Sequence, residues 1–333
     1  MTGMIDAGFV TDVGKVRSEN QDYAGLFNPT DPAEAGVRGR VFIVCDGMGG
    51  HHGGSIASEL TVKGFLAAWN AASHPALEDR VNASIGQANL DVRARAATEP
   101  ALRSMGTTAV MIAVDGSHVV VAHIGDSRCY FFRGGRAELL TRDHTYVNDL
   151  VEAGLITPEK AKTHHERNII TRCVGMADTL KVDFSSRTVQ PGDAFLMCSD
   201  GLHNHVEPTE MQKAIAESDA ATAARAMVDL ANARGGDDNI TCMVVKVLAV
   251  DSPKFAVPEA GQRLGTRLTP VPGARRKSGP VDHGLETGDD ITRMIDTSSI
   301  AKQSNGPSLL TKVAIGVAIL AVLAVVAKWM GRI

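Results

Sequence analysis

The sequence predicts an α+β protein in which helices pack on antiparallel sheets. Short runs rich in Val and Ile, bounded by Gly or Asp, follow one another in hairpin order. The longest helix-like stretches cluster in two places along the chain. Of the 333 residues, 44% are hydrophobic and 22% are charged, which is typical of a globular chain and excludes collagen, general disorder and a multi-span membrane protein.

Six strands and three helices can be placed from their composition. The strand-like runs are VFIVC (41–45), TTAVMIAV (107–114), HVVVAH (118–123), RCYFF (128–132), AFLMC (194–198) and ITCMVVKV (240–247). The helix-like stretches are residues 55–70, about 75–97 and 219–235, the last of which ends at a Gly cap.

The composition changes after about residue 250. Residues 252–308 hold 6 of the 13 prolines, 7 glycines and a single aromatic residue, Phe255. This segment has no apolar periodicity with which to build a core. We therefore predict a folded domain over residues 1–251, followed by a flexible linker over residues 252–308.

An apolar stretch follows the predicted linker. Every residue from Val313 to Ala327 is Val, Ala, Ile, Leu or Gly, and Lys312 and Lys328 bound this run. The run is shorter than the ~20 residues that cross a bilayer core, but the flanking lysines can extend to the headgroups and lengthen it. We expect residues 309–330 to form a C-terminal transmembrane anchor; a buried core helix is the alternative.

Charge and cysteine usage predict where the protein acts. The formal net charge of −4 does not favour nucleic acid, yet residues 252–333 carry 11 Lys and Arg against 6 Asp and Glu, which suits an anionic membrane surface or an ordinary solvated linker. The first ten residues lack a signal peptide. Five widely spaced cysteines without a C-x-x-C pair are typical of reduced thiols. We therefore expect a tail-anchored, single-pass protein of the inner (plasma) membrane with residues 1–308 in the cytoplasm.

Carboxylates stand at the ends of four predicted strands. VFIVC runs into Asp46, VVVAHIG into Asp126 and AFLMCS into Asp200, while GGDDN (235–239) precedes ITCMVVKV. A single Asp after a strand is most simply a turn residue. Several that converge would repel one another and need divalent cations, and an all-oxygen set favours Mg²⁺ or Mn²⁺ over zinc.

The first of these carboxylates opens a glycine-rich loop, DGMGGH (46–51). Such a loop lets the backbone approach an ion or an oxyanion closely, although a simple turn has the same composition. Two other phosphate chemistries are excluded by motif. No cysteine begins a C-x₅-R phosphatase signature, and there is no P-loop of the form G-x₄-G-K-[S/T].

Eight segments carry a wider pattern. They are TDVGKVRSENQD (11–22), VFIVCDGMGGHHGG (41–54), SMGTTAV (104–110), AHIGDSRCY (122–130), LTRDHT (140–145), NIITRCVG (168–175), PGDAFLMCSDGL (191–202) and GGDDNITCMVV (235–245). In this order they resemble the bacterial metal-dependent serine/threonine protein phosphatases of the protein phosphatase 2C (PPM) family. The resemblance covers about residues 5–248 and implies a four-layer α/β/β/α sandwich of two antiparallel sheets flanked by helices.

The resemblance also implies a centre for two Mn²⁺ or Mg²⁺ ions in the cleft between the sheets, with a third, weaker site. Asp46 matches the carboxylate that bridges both ions. Gly47 matches the position that offers a backbone carbonyl to the second ion. Asp200 and Asp238 match the remaining direct ligands of the first ion.

Three further positions complete the implied site. Asp126, in GDSR, matches a ligand of the third ion, which it shares with Asp200. Asp22 matches an acidic position near the second ion that acts through water. Arg17 matches the arginine that grips the substrate phosphate.

The implied reaction is hydrolysis of phosphoserine and phosphothreonine on proteins by a water molecule that bridges the two ions. Animal members carry a His directly after Asp-Gly as a general acid; here that position is Met48. His51 is a candidate for the role, and a plain loop histidine is the alternative. Residues 145–170 match a flap beside the cleft, in which we expect His164 and His165 to be solvated.

The implied partners are phosphorylated proteins, the substrates of a cognate serine/threonine kinase, and the membrane through the C-terminal helix. We expect a monomer that reverses kinase signalling at the membrane. A pseudophosphatase that only binds its targets would need a broken ligand set, whereas every position named above is intact. A membrane scaffold in which the linker matters more than the catalytic domain is the remaining alternative.

Overall fold

The computed structural model describes residues 4–50, 52–71, 76–252 and 263–269. Within these ranges, strands β1 to β12 are Ile5–Asp12, Asp22–Phe27, Arg40–Met48, Gly106–Thr107, Ala109–Asp115, His118–Ile124, Arg128–Arg133, Arg136–Leu139, Lys181–Thr188, Ala194–Cys198, Ile240–Val247 and Arg263–Leu268. Helices α1 to α8 are Pro32–Arg38, Gly53–Ala71, Leu77–Thr98, Tyr146–Glu152, Pro158–Lys162, Asp200–His203, Pro208–Glu217 and Ala220–Ala233.

The strands form two antiparallel sheets. The first sheet has the order β1-β11-β10-β7-β8, and the second has the order β12-β9-β6-β5-β3-β2 with β4 beside β3. The runs predicted at 194–198 and 240–247 coincide with β10 and β11, which pair directly with Cys198 opposite Cys242. The class of fold predicted from the strand pattern is therefore confirmed.

Three apolar clusters divide the domain into four layers. Phe42 of the second sheet and Phe195 of the first belong to the cluster between the sheets. A second cluster packs α2 and α3 on the outer face of the second sheet, and a third packs α7 and α8 on the outer face of the first. The order of layers is helix, sheet, sheet, helix, as the family resemblance implies.

Helix α2 shows how its sequence selects this packing. Ala57, Thr61, Phe65 and Trp69 are buried and lie four residues apart, so they form one stripe along the helix. Phe65 and Trp69 stack with ring centroids 6.3 Å apart. This stripe is the face that α2 presents to the second sheet.

Strand β9 has a pattern that composition alone does not identify. Only Val182, Phe184 and Ser186 are buried, and they alternate with polar residues that are half-buried or exposed. The strand therefore lacks the continuous apolar run that marks β10 and β11.

The predicted linker begins too early. Arg263–Leu268 form β12, which pairs with β9, so the prediction of a flexible linker over residues 252–308 does not hold for this segment. Its sequence, RLGTRL, is short and contains Gly, which hides the strand signal. The other linker residues, 253–262 and 270–308, lie outside the described residues.

None of the described helices has both the length and the apolar character needed to span a bilayer. The anchor predicted at residues 309–330 lies outside the described residues.

The state of the cysteines agrees with the predicted reduced thiols, since Cys45, Cys129, Cys198 and Cys242 are buried and form no disulfide.

Candidate metal centre

Both sheets contribute carboxylates to one cleft. Asp22 and Asp46 are directly opposed in the register of β2 and β3 in the second sheet. Strands β10 and β11 belong to the first sheet. Asp200 begins α6 shortly after the end of β10, and Asp238 lies just before the start of β11. Asp126 lies in the connection that crosses from β6 in the second sheet to β7 in the first. The five acids predicted from the sequence are therefore brought together.

The pKa values of four of these carboxylates are raised. Burial, and then the charges of the other four, raise the pKa of Asp46 well above its usual range. Burial followed by nearby carboxylates raises the pKa of Asp22 and of Asp126 to about 7, and that of Asp200 to about 6. Such a set cannot be fully ionised near neutral pH unless positive charge is added.

Two buried carboxylate oxygens in this set have no hydrogen-bond partner. They are Oδ1 of Asp22 and Oδ1 of Asp200. The other oxygen of Asp22 accepts a hydrogen bond from Ser199 Oγ at 2.6 Å. A buried charged oxygen without a partner is costly. Because unpartnered oxygens of clustered carboxylates are the ligands that Mg²⁺ and Mn²⁺ prefer, these residues fit divalent cations.

Gly47 allows the backbone to pass close to the carboxylates. A Cβ added at this position would lie 2.1 Å from the carbonyl oxygen of Gly54 and 2.5 Å from that of Gln21. The Gly47 N–H donates to the same Gln21 oxygen at 3.0 Å. No larger residue fits here, so the glycine holds the end of β3 against the start of α2.

Arg17 lies at the rim of the carboxylate cluster. Its Nη2 donates to Asp238 Oδ2 at 2.8 Å, and 53% of its side chain is exposed. The hydrogen bond to Asp238, together with the charges of Asp46 and Asp200, raises the pKa of Arg17 and keeps it positive. Its planar guanidinium has further N–H groups with which to bind an oxyanion.

Asn239 holds the loop that carries Arg17, a role the motif analysis did not assign. Its N–H donates to Asp238 Oδ1 at 2.8 Å, and its side-chain oxygen accepts from the Gln21 N–H at 2.8 Å. Its side-chain amide donates to two backbone carbonyls in loop 13–21. The available signal was its place directly after Asp238, but Asn is also a common turn residue.

Hydroxyl groups support the carboxylates from behind. Thr108 Oγ1 accepts a hydrogen bond from the Asp46 N–H at 2.9 Å and lies 2.7 Å from Ser127 Oγ. Ser199 Oγ donates to Asp22. Sequence reasoning missed all three hydroxyls, because Ser and Thr beside strands are too common to indicate a site.

Two predicted histidine assignments have different outcomes. His51 lies outside the described residues, so its role stays a prediction. The segment 145–170 contains α4 and α5, and in it the rings of His164 and His165 stack 4.5 Å apart. His165 is exposed, as predicted, whereas His164 is half-buried and accepts from the Glu166 N–H through Nδ1.

The family model described as Protein phosphatase 2C matches residues 16–242. This range includes Arg17 and all five carboxylates. The chain belongs to the protein phosphatase 2C family.

Related proteins cover the same part of the chain. The serine/threonine phosphatase stp of Listeria monocytogenes is 35% identical over 245 residues, which are 72% of this chain and 95% of that protein. The structure of the S. agalactiae serine/threonine phosphatase superposes with a TM-score of 0.67 and 34% identity over 73% of this chain and 100% of that chain.

A structure with metal ions is also similar. The catalytic domain of the serine/threonine protein phosphatase PstP, in complex with two manganese ions, has a TM-score of 0.64 and 31% identity, over 74% of this chain and 100% of that chain. The present member of the family is a metal-dependent serine/threonine protein phosphatase.

Proposed function

We propose that this phosphatase hydrolyses phosphoserine and phosphothreonine monoesters of membrane-proximal proteins, with cations held by its carboxylate cluster. The observation that supports this most strongly is the set of mutually repelling carboxylates, buried or half-buried and with two unpartnered oxygens, beside one exposed arginine. Such a set is unfavourable until cations enter it. Its purpose is therefore to bind cations next to a group that recognises phosphate.

The division of roles follows the position of each residue. The groups that would hold Mn²⁺ or Mg²⁺ are the carboxylates of Asp46, Asp200 and Asp238, the Gly47 carbonyl, Asp22 through water, and Asp126 at a third, weaker site. When bound, the ions supply positive charge to the phosphate oxygens and lower the pKa of a water molecule so that it can attack phosphorus.

Arg17 would bind the substrate phosphate. Its hydrogen bond to Asp238 orients the guanidinium, and its exposure leaves other N–H groups free to face a substrate. Asn239 holds both the Arg17 loop and Asp238, and so keeps the phosphate clamp in register with the cation ligands. His51 is the candidate donor of a proton to the departing alkoxide.

The activity can be tested with matched phosphopeptides. The full-length protein should release phosphate from a phosphothreonine peptide in Mn²⁺ or Mg²⁺, lose this activity in EDTA, and regain it when the cation is restored. A phosphotyrosine peptide of the same sequence serves as the control for substrate class. Full activity in EDTA after thorough dialysis would contradict the proposal.

Membrane attachment is part of the same proposal. The apolar run Val313–Ala327 with its flanking lysines suits a single span, and the basic residues before it suit an anionic cytoplasmic leaflet. We place the catalytic domain in the cytoplasm of a tail-anchored inner-membrane protein. There it would act on substrates of a serine/threonine kinase whose effective concentration the tether raises.

The anchor can be tested by adding two positive charges, either within the apolar run or in the linker. Because charge at the bilayer centre is costly, Ile319→Lys with Leu323→Lys should shift the full-length protein from a salt-resistant membrane pellet to the soluble fraction. Thr297→Lys with Ser304→Lys adds the same charge in the linker and should leave the protein in the pellet. A wild-type protein found in the soluble fraction would contradict the anchor without affecting the phosphatase assignment.

A further inference from the structure

A second polar cluster, here called the His144 cluster, consists of His144, Arg172, Asp183 and Thr266. His144 Nε2 lies 3.1 Å from Asp183 Oδ2, and Arg172 Nη1 donates to Asp183 Oδ1 at 3.0 Å. Thr266 Oγ1 donates to the same Oδ1 at 2.6 Å. His144 is fully buried. Asp183 and Thr266 line a cavity of about 280 Å³.

Two members of this cluster, together with the neighbouring His123, have the spacing of a metal site, but Arg172 already supplies a cation there. The ligand atoms of His123, His144 and Asp183 lie within 4.8 Å of one another. Arg172 Nη1, however, lies only 3.3 Å from His144 Nε2 as well as 3.0 Å from Asp183. Burial opposes ionisation of Asp183, but hydrogen bonds from His144 and Thr266 hold its pKa well below its usual range. The guanidinium therefore takes the place that a metal ion would need.

The His144 cluster is connected to the carboxylate cluster through Gly125. The backbone N–H of Gly125 donates to the ring atom Nδ1 of His144 at 3.1 Å, and the backbone N–H of His144 donates to the Gly125 carbonyl at 3.0 Å. Because Nδ1 accepts, the ring proton lies on Nε2, where Asp183 receives it. Asp183 thus selects the tautomer that grips Gly125, the residue directly before Asp126.

Thr266 reaches this cluster from a segment outside the family match. The match ends at residue 242, and relatives covered over nearly their whole length span about three quarters of this chain. Strand β12 lies beyond that range and covers β9, which would otherwise be the edge of the second sheet.

Strand β12 is held at its end by contacts with both the sheet and α3. The Thr269 N–H donates to the Leu180 carbonyl at 3.0 Å, and the Leu180 N–H donates to Thr269 Oγ1 at 2.9 Å. Asn82 in α3 donates to the Leu268 carbonyl at 3.0 Å. These contacts bring Thr266 to Asp183 in a defined register.

We propose that β12 is a positioning strand for the Asp126 loop, acting through Thr266, Asp183, His144 and Gly125 in turn. Docking of this segment strengthens cation binding at Asp126, and its release weakens it. The chain between the catalytic domain and the predicted anchor would then tune the phosphatase when cations are limiting. The inference rests on the proposed function, because it assigns Asp126 to a cation site.

Two variants of the full-length protein separate this role from a general loss of structure. Gly265 lies at a bulge in β12 and has φ +75°, a conformation that favours glycine. An added Cβ would meet no atom within 4 Å. We therefore expect Gly265→Val to undock the strand through backbone strain and not through a steric clash. Gly135, in the β7–β8 turn, has φ +77° and only Gln212 Nε2 near an added Cβ, at 3.6 Å, so Gly135→Val is the matched control. Thr266→Val removes only the hydroxyl group that reaches Asp183.

Hydrogen exchange of residues 122–128 in chelator measures the hold on Gly125 without any metal. Calorimetric titration with Mn²⁺ measures the cation sites without any substrate. Gly265→Val and Thr266→Val should both speed exchange around Gly125 and weaken the weakest class of Mn²⁺ site by about threefold or more, with the tighter sites unchanged. Gly135→Val should change neither quantity. In a His144→Asn background, Thr266→Val should have no further effect, because the path is already broken.

The outcomes distinguish this inference from the proposed function. If Gly265→Val exposes residues 263–269 to exchange while exchange around Gly125 and the Mn²⁺ isotherm stay at wild-type values, the positioning role is overturned. If the wild-type protein binds no Mn²⁺, the metal assignment fails, and the role of β12 in cation binding fails with it. Exchange in chelator would then still report whether β12 holds the loop.

Discussion

Two polar clusters lie on either side of the Asp126 loop and differ in charge balance. The carboxylate cluster contains five acids, and Arg17, which pairs with one of them, is more than half exposed. The His144 cluster contains one acid, Asp183, which receives Arg172, His144 and Thr266. Burial opposes ionisation in both clusters, yet it accompanies raised pKa values in the first and a lowered pKa in the second.

The difference shows which buried polar groups need a ligand. In the His144 cluster the protein supplies every partner of the carboxylate, so the cluster stabilises the fold. In the carboxylate cluster, charge is left unbalanced and two oxygens are left unpartnered, so the cluster is complete only when cations bind. Imbalance, rather than burial, marks the functional site, and four experiments test this distinction.

The largest effect should come from removing one carboxylate. Asp46→Ala should lower turnover of a phosphothreonine peptide by more than about 100-fold while circular dichroism shows a folded protein. The protein should stay folded because loss of one repelling acid relieves the others. Asp219→Asn, at the exposed N-cap of α8, removes a carboxylate elsewhere and should retain full turnover. Equal losses in the two variants would contradict the assignment.

The His144 cluster should respond in stability instead. Asp183→Ala leaves Arg172 and the Nε2–H of His144 without their partner, and we expect the free energy of unfolding to fall by about 1–3 kcal/mol. The figure allows for the side chain being about one-fifth exposed. Urea denaturation in chelator measures it. The comparison is wrong if Asp183→Ala is as stable as the wild type.

Substitution of Arg17 should change the kinetics of the enzyme, whereas substitution of Arg172 should not. Arg17→Ala should raise KM for a phosphopeptide by about tenfold, because a planar fork that binds the phosphate group is lost. Arg172→Ala should leave KM at the wild-type value and lower the midpoint of thermal unfolding. Unchanged KM and kcat in Arg17→Ala would show that this residue is not the phosphate clamp.

The smallest effect should be on the pH dependence of stability without metal. Burial raises the folded-state pKa of Asp22 and Asp126 to about 7, above the unfolded values, so the folded state holds more protons between about pH 4 and 7. Stability should therefore rise as pH falls from 8 to about 6.5, by about 1 kcal/mol or less for each group. Below this range His123 acts in the opposite direction, since burial lowers its pKa to about 4.

Thermal unfolding in chelator measures this trend, and saturating Mn²⁺ should abolish it. Asp22→Asn should flatten the trend and raise the midpoint of unfolding at pH 8, because it removes a buried charge. A metal-free wild type whose stability falls between pH 8 and 6.5 would contradict the raised pKa values.

The local pattern of the chain was sufficient for the fold class and for most of the carboxylate cluster, whereas the four-layer order came from the family resemblance. Strands such as β10 and β11 are wholly or mostly apolar, so their ends, and the acids Asp200 and Asp238 beside them, can be identified from neighbouring residues alone. Asp22 and Arg17 were identified only through the family resemblance, because no apolar run leads into them. Strand periodicity and turn chemistry act over a few residues, which is why they can be read along one segment.

The tertiary structure alone decided which polar groups support the carboxylates and which form the His144 cluster. Asn239 binds Gln21 across 218 residues of sequence, and Thr266 binds Asp183 across 83. Neither residue type indicates its partner, because Asn and Thr occur in many turns and strands. The docking of β12 likewise depends on an open edge of β9, which exists only after the second sheet has formed. Charge balance in a buried cluster is a sum over such distant contacts, so the distinction between a site that needs cations and one that contains its own arises only in the folded chain.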